Sequence, residues 1–268
     1  MNPARPVVEA GEPWQPLPQH INGTARNYTC DLSVVIPVYN EEAGISSTVA
    51  HLKEYLSKQP WRTEIVCVDD GSTDRTPELL AQLEGIRVLS AAKNGGYGAA
   101  LKLGFAAARG RYIGFCDADE TYPVRMLGPM LAMLESRPDV PLVAGSRLLG
   151  SGEGLSLLRR SGNLMLTLLS RTFCRTAATD ACSGMLVLRE ELRAQLELET
   201  FTDDLDFSLQ MRCRCGMRGI PVLELPIPYE DRAGDSKLSP LRHGVVFTKR
   251  ILIERREGKR WQRNAART

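Results

Sequence analysis

Leu32-Ser33-Val34-Val35-Ile36-Pro37-Val38-Tyr39-Asn40-Glu41-Glu42 decides the fold. A short run rich in β-branched residues makes a buried strand, and the polar residues that end it open a helical stretch to about Ser57. The unit then recurs. Glu64-Ile65-Val66-Cys67-Val68 ends in Asp69-Asp70-Gly71-Ser72-Thr73-Asp74, and a helix follows from Pro77, a residue suited to a first helical turn, with Thr76 placed to cap it. Ile86-Arg87-Val88-Leu89 leads through Lys93-Asn94-Gly95-Gly96-Tyr97-Gly98 into an Ala-rich helix at 99–108. Tyr112-Ile113-Gly114-Phe115-Cys116 stops at Asp117-Ala118-Asp119.

Near-continuous apolar strands alternating with helices are what a mostly parallel sheet covered on both faces requires, with right-handed crossovers joining the strands. The chain is therefore read as α/β. Ligands of such sheets bind at the carboxyl ends of the strands. Here those ends carry Glu41, Asp69, Asp70, Lys93, Asp117 and Asp119, which are expected to converge on one edge.

Beyond residue 124 the rhythm loosens. A helix near 124–135 precedes the strand Leu142-Val143-Ala144 and then Gly145-Ser146-Arg147; Met185 to Leu188 and Val222 to Leu225 read as strands around a helix at 204–215. In the amphipathic stretch 155–173, the Leu, Met and Phe residues share one arc, with Arg159, Arg160, Thr167, Ser170 and Arg171 opposite. That arc is expected to pack on the core; lying against lipid or a partner is the alternative.

A chain of 268 residues, 43% hydrophobic and 25% charged, suffices for one sizeable domain. The net charge of +2 is too small to point to nucleic acid. It hides an asymmetry, because residues 241–268 hold nine Lys/Arg against two Asp/Glu. The expected organisation is a disordered Pro-rich leader at 1–30, a domain at 31–240 and a basic C-terminal helix or tail at 241–268. The leader has no apolar core of a signal peptide, and no run of about 18 apolar residues spans a bilayer. Seven cysteines without C-x-x-C or Cys/His spacing read as buried thiols of a reducing, cytoplasmic protein. His20, His51 and His243 stand outside any motif.

Asp117 and Asp119 can both turn toward one hard divalent cation, Mg²⁺ or Mn²⁺, that takes its other ligands from phosphate oxygens. Alone, the spacing favours a solvated turn after a strand, and its place among the other strand-end motifs reverses that. The glycine-rich segment at 93–102 lacks the Gly-Lys-Ser/Thr ending of a P-loop and the dinucleotide fingerprint, so its glycines serve either phosphate or a tight turn and close packing.

Ile36-Pro37-Val38-Tyr39-Asn40-Glu41, Val68-Asp69-Asp70-Gly71-Ser72-Thr73-Asp74, Asn94-Gly95-Gly96-Tyr97-Gly98 and Asp117-Ala118-Asp119, in this order, resemble the family-2 glycosyltransferases of GT-A (Rossmann-like) fold. Gly145-Ser146-Arg147, Asp180-Ala181-Cys182-Ser183-Gly184 and Pro226-Ile227-Pro228-Tyr229, with the stretch from Arg232 to Leu238, resemble the polyprenyl- or dolichyl-phosphate mannosyltransferase branch. The resemblance implies that Pro37, Tyr39, Glu41, Val68 and Asp70 hold the nucleoside of a GDP- or UDP-hexose, with Ala118 beside them. It implies Asp117 and Asp119 as metal ligands, with Asp119 central to catalysis, and Arg147, Arg232 and Lys237 as phosphate contacts. Where many members have Gln as a further metal position, this chain has Thr121. Asp180 is a candidate for contact with sugar or acceptor, or for a capping or turn role.

A lipid-phosphate acceptor is already anionic at neutral pH and needs no general base, whereas a hydroxyl acceptor does. Asp203 or Asp204 is available for the second case, or these acids serve the N-terminus of the next helix. The implied activity is metal-dependent, inverting transfer of a hexose to polyprenyl phosphate. A soluble hydroxyl acceptor and a non-catalytic nucleotide-sugar-binding module are the alternatives. The basic tail, otherwise read as solvated, and the alternative reading of the 155–173 stretch leave peripheral contact with the cytoplasmic membrane face or a membrane partner subunit open.

Overall fold

The structure is a computed structural model and describes residues 28–150, 156–228 and 240–265, with two short stretches of backbone at 20–21 and 24–25. Arg232 and Lys237, Tyr229, and most of the expected leader lie outside the described residues. Strands β1 (His20–Ile21) and β2 (Thr24–Ala25) form a small antiparallel pair. The main run then reads β3 (Cys30–Val38), α1 (Ile45–Ser57), β4 (Thr63–Asp69), α2 (Thr76–Gln82), β5 (Arg87–Ser90), α3 (Tyr97–Ala107) and β6 (Gly110–Phe115). It continues through α4 (Leu127–Ser136), β7 (Leu142–Ser146), α5 (Leu157–Cys174), β8 (Leu186–Arg189), α6 (Glu190–Leu196), α7 (Phe207–Arg218), β9 (Val222–Pro226) and α8 (Pro240–Ala265).

The seven-stranded sheet has the order β5-β4-β3-β6-β8-β7-β9, and β8 alone runs antiparallel to its neighbours. Period-two alternation explains how a continuous apolar strand is buried on both sides. In β3, Leu32, Val34, Ile36 and Val38 face α1 and α4, while Val35 faces α3 and α7. The sheet is therefore covered on both faces, as the strand-helix alternation implies. A third cluster joins Leu166 and Cys174 of α5, Leu209 and Cys213 of α7, and Phe247 and Ile251 of α8.

Two expectations change here. Thr76 does not cap α2: Arg75 holds the N-cap position, and the Thr76 hydroxyl instead accepts the Glu41 N–H at 2.9 Å. The apolar arc of α5 packs on the core only in part: Leu166 is buried, with Leu169 and Phe173 packed beside it, and the rest of the arc faces outward. Leu157, Leu158, Leu164, Met165 and Leu168 are 85, 59, 52, 51 and 65% exposed, whereas Asn163, Thr167 and Ser170 are buried. The reason is that the polar side grips the following loop: the Thr167 hydroxyl accepts the Ala181 N–H at 3.0 Å, and the Ser170 and Thr176 hydroxyls share a hydrogen bond of 3.0 Å. Satisfied polar groups are compatible with burial, and the exposed leucines turn outward.

The basic segment from 241 is helix α8, and it is built into the domain. Glu254 is buried and accepts from Gln210 at 2.6 Å and from Arg214 at 3.0 Å, while Arg250 donates to Asp206 at 2.7 Å.

Candidate active site

The loops at the carboxyl edge of the sheet are tied to one another. Asn40, in the left-handed region at φ 50°, accepts the Thr73 N–H at 2.8 Å and donates its own N–H to Ser72 Oγ at 2.9 Å. This clasps the loop after β3 to the loop after β4. Asp70 accepts the N–H groups of Gly95 at 2.9 Å and Gly96 at 2.7 Å, one on each carboxylate oxygen. Gly98 donates to the Asp203 carbonyl at 2.7 Å. A Cβ on Gly96 or Gly98 would be driven into the carbonyl oxygens of Asp203 and Thr202, and Gly96 also has φ 104°. These glycines thus serve a tight turn and close packing, with Asp70 as their anchor.

At the end of β6, the Thr48 hydroxyl donates to the Ala118 carbonyl at 2.9 Å and fixes the turn. Tyr97 donates its phenol to Asp117 Oδ1 at 2.9 Å. Burial first, and the Asp117 charge next, raise the Tyr97 pKa well above its usual value, so the phenol stays a donor. Thr121 is buried and gives both its N–H, at 3.1 Å, and its hydroxyl, at 2.6 Å, to Asp119 Oδ1. It orients Asp119. Glu120 between them takes φ 62°.

A cavity of about 980 Å³ opens on this edge. Pro37, Tyr39, Glu41, Asp70, Asp117, Ala118, Asp119 and Arg147 all line it. Val68 does not, because alternation along β4 turns it into the core facing α3. Lys93 also stays outside it, and Asp69 accepts the Ser72 N–H at 3.0 Å instead. Among the described residues no three His, Cys, Asp or Glu side chains cluster as a complete metal cage. Two carboxylates in a cavity are the donor set that a hard cation completes with phosphate oxygens and water, so Asp117 and Asp119 fit Mg²⁺ or Mn²⁺ bound together with a diphosphate.

The far wall is assembled from distant segments. Arg147, after β7, donates its Nε and a terminal nitrogen to Asp180 at 2.7 and 2.9 Å, and its N–H at 3.0 Å. Asn163 of α5 donates to the same carboxylate at 2.6 Å. Asp180 has no exposed surface; it fixes Arg147 in the wall and does not line the cavity itself. Burial alone would raise its pKa, but the Arg147 hydrogen bonds and charge and the Asn163 bond overcome this and hold it below the usual value. Beneath this pair, Arg212 is fully buried and donates to the Ser183 carbonyl at 3.0 Å, while Glu224 accepts from Thr179.

From there the cavity runs between α5 and α8, where Leu158, Met165, Leu166, Val245 and Phe247 supply apolar lining and Arg159 and Lys249 supply charge. Asp204 is exposed and lines it too, whereas Asp203 pairs with Lys102 at 2.6 Å. His243, outside every motif, is another lining residue. Tyr97 and Asn163 are the residues that motif reading passes over. Tyr97 sits inside the quoted glycine segment, and Asn163 is spaced with Thr167 and Ser170 along one polar stripe.

The glycosyl transferase family 2 model matches residues 33–195. A dolichyl-phosphate hexose transferase of Haloferax volcanii is 35% identical over 222 residues, covering 83% of this chain and 92% of that protein. A dolichol-phosphate mannosyltransferase of Pyrococcus furiosus is 29% identical, covering 77% of this chain and 59% of that protein. Among solved structures, glucosyl-3-phosphoglycerate synthase from Mycobacterium tuberculosis, in complex with Mn²⁺, UDP and phosphoglyceric acid, shares the fold with a TM-score of 0.66 at 20% identity, over 84% of this chain and 77% of that one. The strand-end site, the GT-A fold and the family match over residues 33–195 converge: this chain belongs to glycosyl transferase family 2.

Proposed function

We propose that the enzyme transfers a hexose, mannose or glucose, from a GDP- or UDP-sugar to a polyprenyl phosphate at the cytoplasmic face of a membrane. The observation that carries this reading is the shape of the cavity. An acidic, polar end at the strand edge continues into an apolar cleft between α5 and α8, which suits a ligand with a phosphate head and a hydrocarbon tail. The names of the two relatives are consistent with such an acceptor.

In this mechanism Pro37, Tyr39, Glu41 and the Asp70-anchored loop hold the nucleoside, and Asp117 and Asp119 hold Mg²⁺ or Mn²⁺. The cation, when bound, supplies charge neutralisation for the departing diphosphate. The acceptor phosphate is anionic at neutral pH, so one of its oxygens attacks the anomeric carbon without a general base. The bond from that carbon to the diphosphate breaks as the new one forms on the opposite side, and its electron pair leaves with the nucleoside diphosphate. Configuration inverts. Arg147, bonded to Asp180, which Asn163 also holds, is proposed to meet the phosphates from the cavity wall, and Arg232 and Lys237 to complete the clamp.

A panel of nucleotide sugars against a short polyprenyl phosphate, with and without Mn²⁺, tests this. One donor is expected to be turned over, and only with metal. Turnover confined to soluble hydroxyl acceptors would overturn it. That second reading is favoured by Asp204, exposed in the cavity, which would act as base. Loss of transfer to a hydroxyl acceptor in Asp204→Asn would support it, and loss of transfer to the lipid phosphate in the same variant would count against the base-free mechanism.

A further inference from the structure

No helix among the described residues is long and apolar enough to cross a membrane. The molecule nonetheless presents one unusual surface. On α5 the exposed positions Leu157, Arg160, Leu164, Leu168 and Arg171 recur three or four apart and so share a face. Leu158 and Met165 extend it toward the cavity, and α5 contains no acidic residue. On α8 the exposed positions Arg242, Val245, Lys249, Leu252 and Arg256 form a second stripe, in which cations alternate with apolar groups. The two helices pack side by side. Their exposed residues Leu158 and Met165 on one, and Val245 and Lys249 on the other, all line the cavity described above.

We infer that the paired exposed faces of α5 and α8 form a docking surface for an anionic lipid bilayer, on which the enzyme lies with its cavity mouth against the headgroups. Large apolar side chains clustered in water at this density mark an interaction site rather than ordinary surface. The choice of bilayer over protein rests on charge. The two stripes offer Arg160, Arg171, Arg242, Lys249 and Arg256 with no carboxylate among them, so a second copy docking face to face would set cations against cations. An anionic leaflet meets all of them, and its acyl boundary takes the leucines to a depth of about 5–10 Å. The consequence for catalysis rests on the lipid-phosphate reading above: docking brings the acceptor's phosphate to the cavity while its hydrocarbon chain never crosses water.

Flotation of the full chain with phosphatidylcholine vesicles, with and without phosphatidylglycerol, tests the surface directly. Binding is expected with the anionic vesicles and to weaken as salt rises. Leu157→Glu/Leu168→Glu alters two side chains outside the cavity and is expected to lower vesicle binding at least about tenfold. The same variant should lose transfer to a long-chain acceptor in vesicles and keep transfer to a short, water-soluble polyprenyl phosphate. Arg160→Glu/Arg256→Glu provides an independent arm, with the preference for anionic lipid abolished. Wild-type protein that ignores both vesicle types, or variants that float like wild type, would overturn the inference. So would a concentration-dependent dimer that the leucine variant dissociates. Wild type that floats but turns over no lipid phosphate, short or long, would leave the docking surface standing and defeat the proposed function.

Discussion

On one side of the cavity, the segment from β3 to Thr121 delivers its residues strand by strand, each from a short motif at a carboxyl end. On the other side, Arg147, Asn163 and Asp180 come from three separate elements and meet in one buried carboxylate. The first side is held by hydrogen bonds between adjacent loops, such as Asn40 to Thr73 and Asp70 to Gly96. The second depends on ion pairs buried between helices, including Arg214 with Glu254 of α8. A parallel sheet puts strand ends together by topology, whereas helices that wall a cleft must be pinned by side chains. The two sides therefore fail differently when a residue is removed.

The largest effect is expected at Asp119. Asp119→Ala should lower transfer at least about a thousandfold, which corresponds to about 4 kcal/mol of transition-state stabilisation, while leaving the fold intact. Initial rates and calorimetry of donor binding with Mn²⁺ check it, and turnover retained with Mg²⁺ or Mn²⁺ would refute the metal assignment. On the opposite side the cost appears in stability. Glu254→Ala leaves the buried Arg214, which also donates to the Leu196 carbonyl and the Thr200 hydroxyl, with the exposed Glu257 at 3.3 Å as its carboxylate partner, and should cost about 3 kcal/mol in urea unfolding. A loss below about 1 kcal/mol would mean that α8 is an appendage and that the contrast between the two sides is superficial.

Legibility followed the same division. The order and type of the first strands and helices could be read from residues 32–119, because an apolar run followed by a polar stop is a local signal. Pro37, Tyr39, Glu41, Asp70, Asp117, Ala118, Asp119 and Arg147 do come to one cavity. Asp180 was legible only in part: its bond from the Cys182 N–H is the local turn role open to it, but its carboxylate also takes Arg147 and Asn163, partners at separations that no spacing rule reaches. The outward part of the α5 arc misled because hydrophobicity predicts burial only when the polar face lacks partners. Asn163, Thr167 and Ser170 found theirs in the 176–181 loop.

Asp180→Asn tests the pinning on the far side at smaller scale. Its carboxyl pKa is held below the usual value in the fold, so the stability it contributes is fully present above about pH 4, the unfolded carboxylate range, and is lost as pH falls through the lower folded value. The variant should be about 2 kcal/mol less stable at pH 7, and the gap should close in acid. A gap independent of pH between 7 and 2 would show that the pair matters for shape and not for charge.

The smallest effect is expected at Tyr97, where the strand-end side departs from its own rule. Its bond to Asp117 joins the glycine segment to the acidic pair, two motifs that are each legible but whose contact is not. Tyr97→Phe keeps the ring packing and removes one hydroxyl. Stability should change by about 1 kcal/mol or less. Because the hydroxyl orients one Asp117 oxygen, apparent affinity for Mn²⁺ should fall about tenfold. The rate at saturating metal should stay within about twofold of wild type, since the phenol does not touch the reacting atoms in the proposed mechanism. Metal titration of initial rates separates the two quantities. An unchanged Mn²⁺ requirement would confine Tyr97 to packing and leave Thr121 as the group that orients the acidic pair.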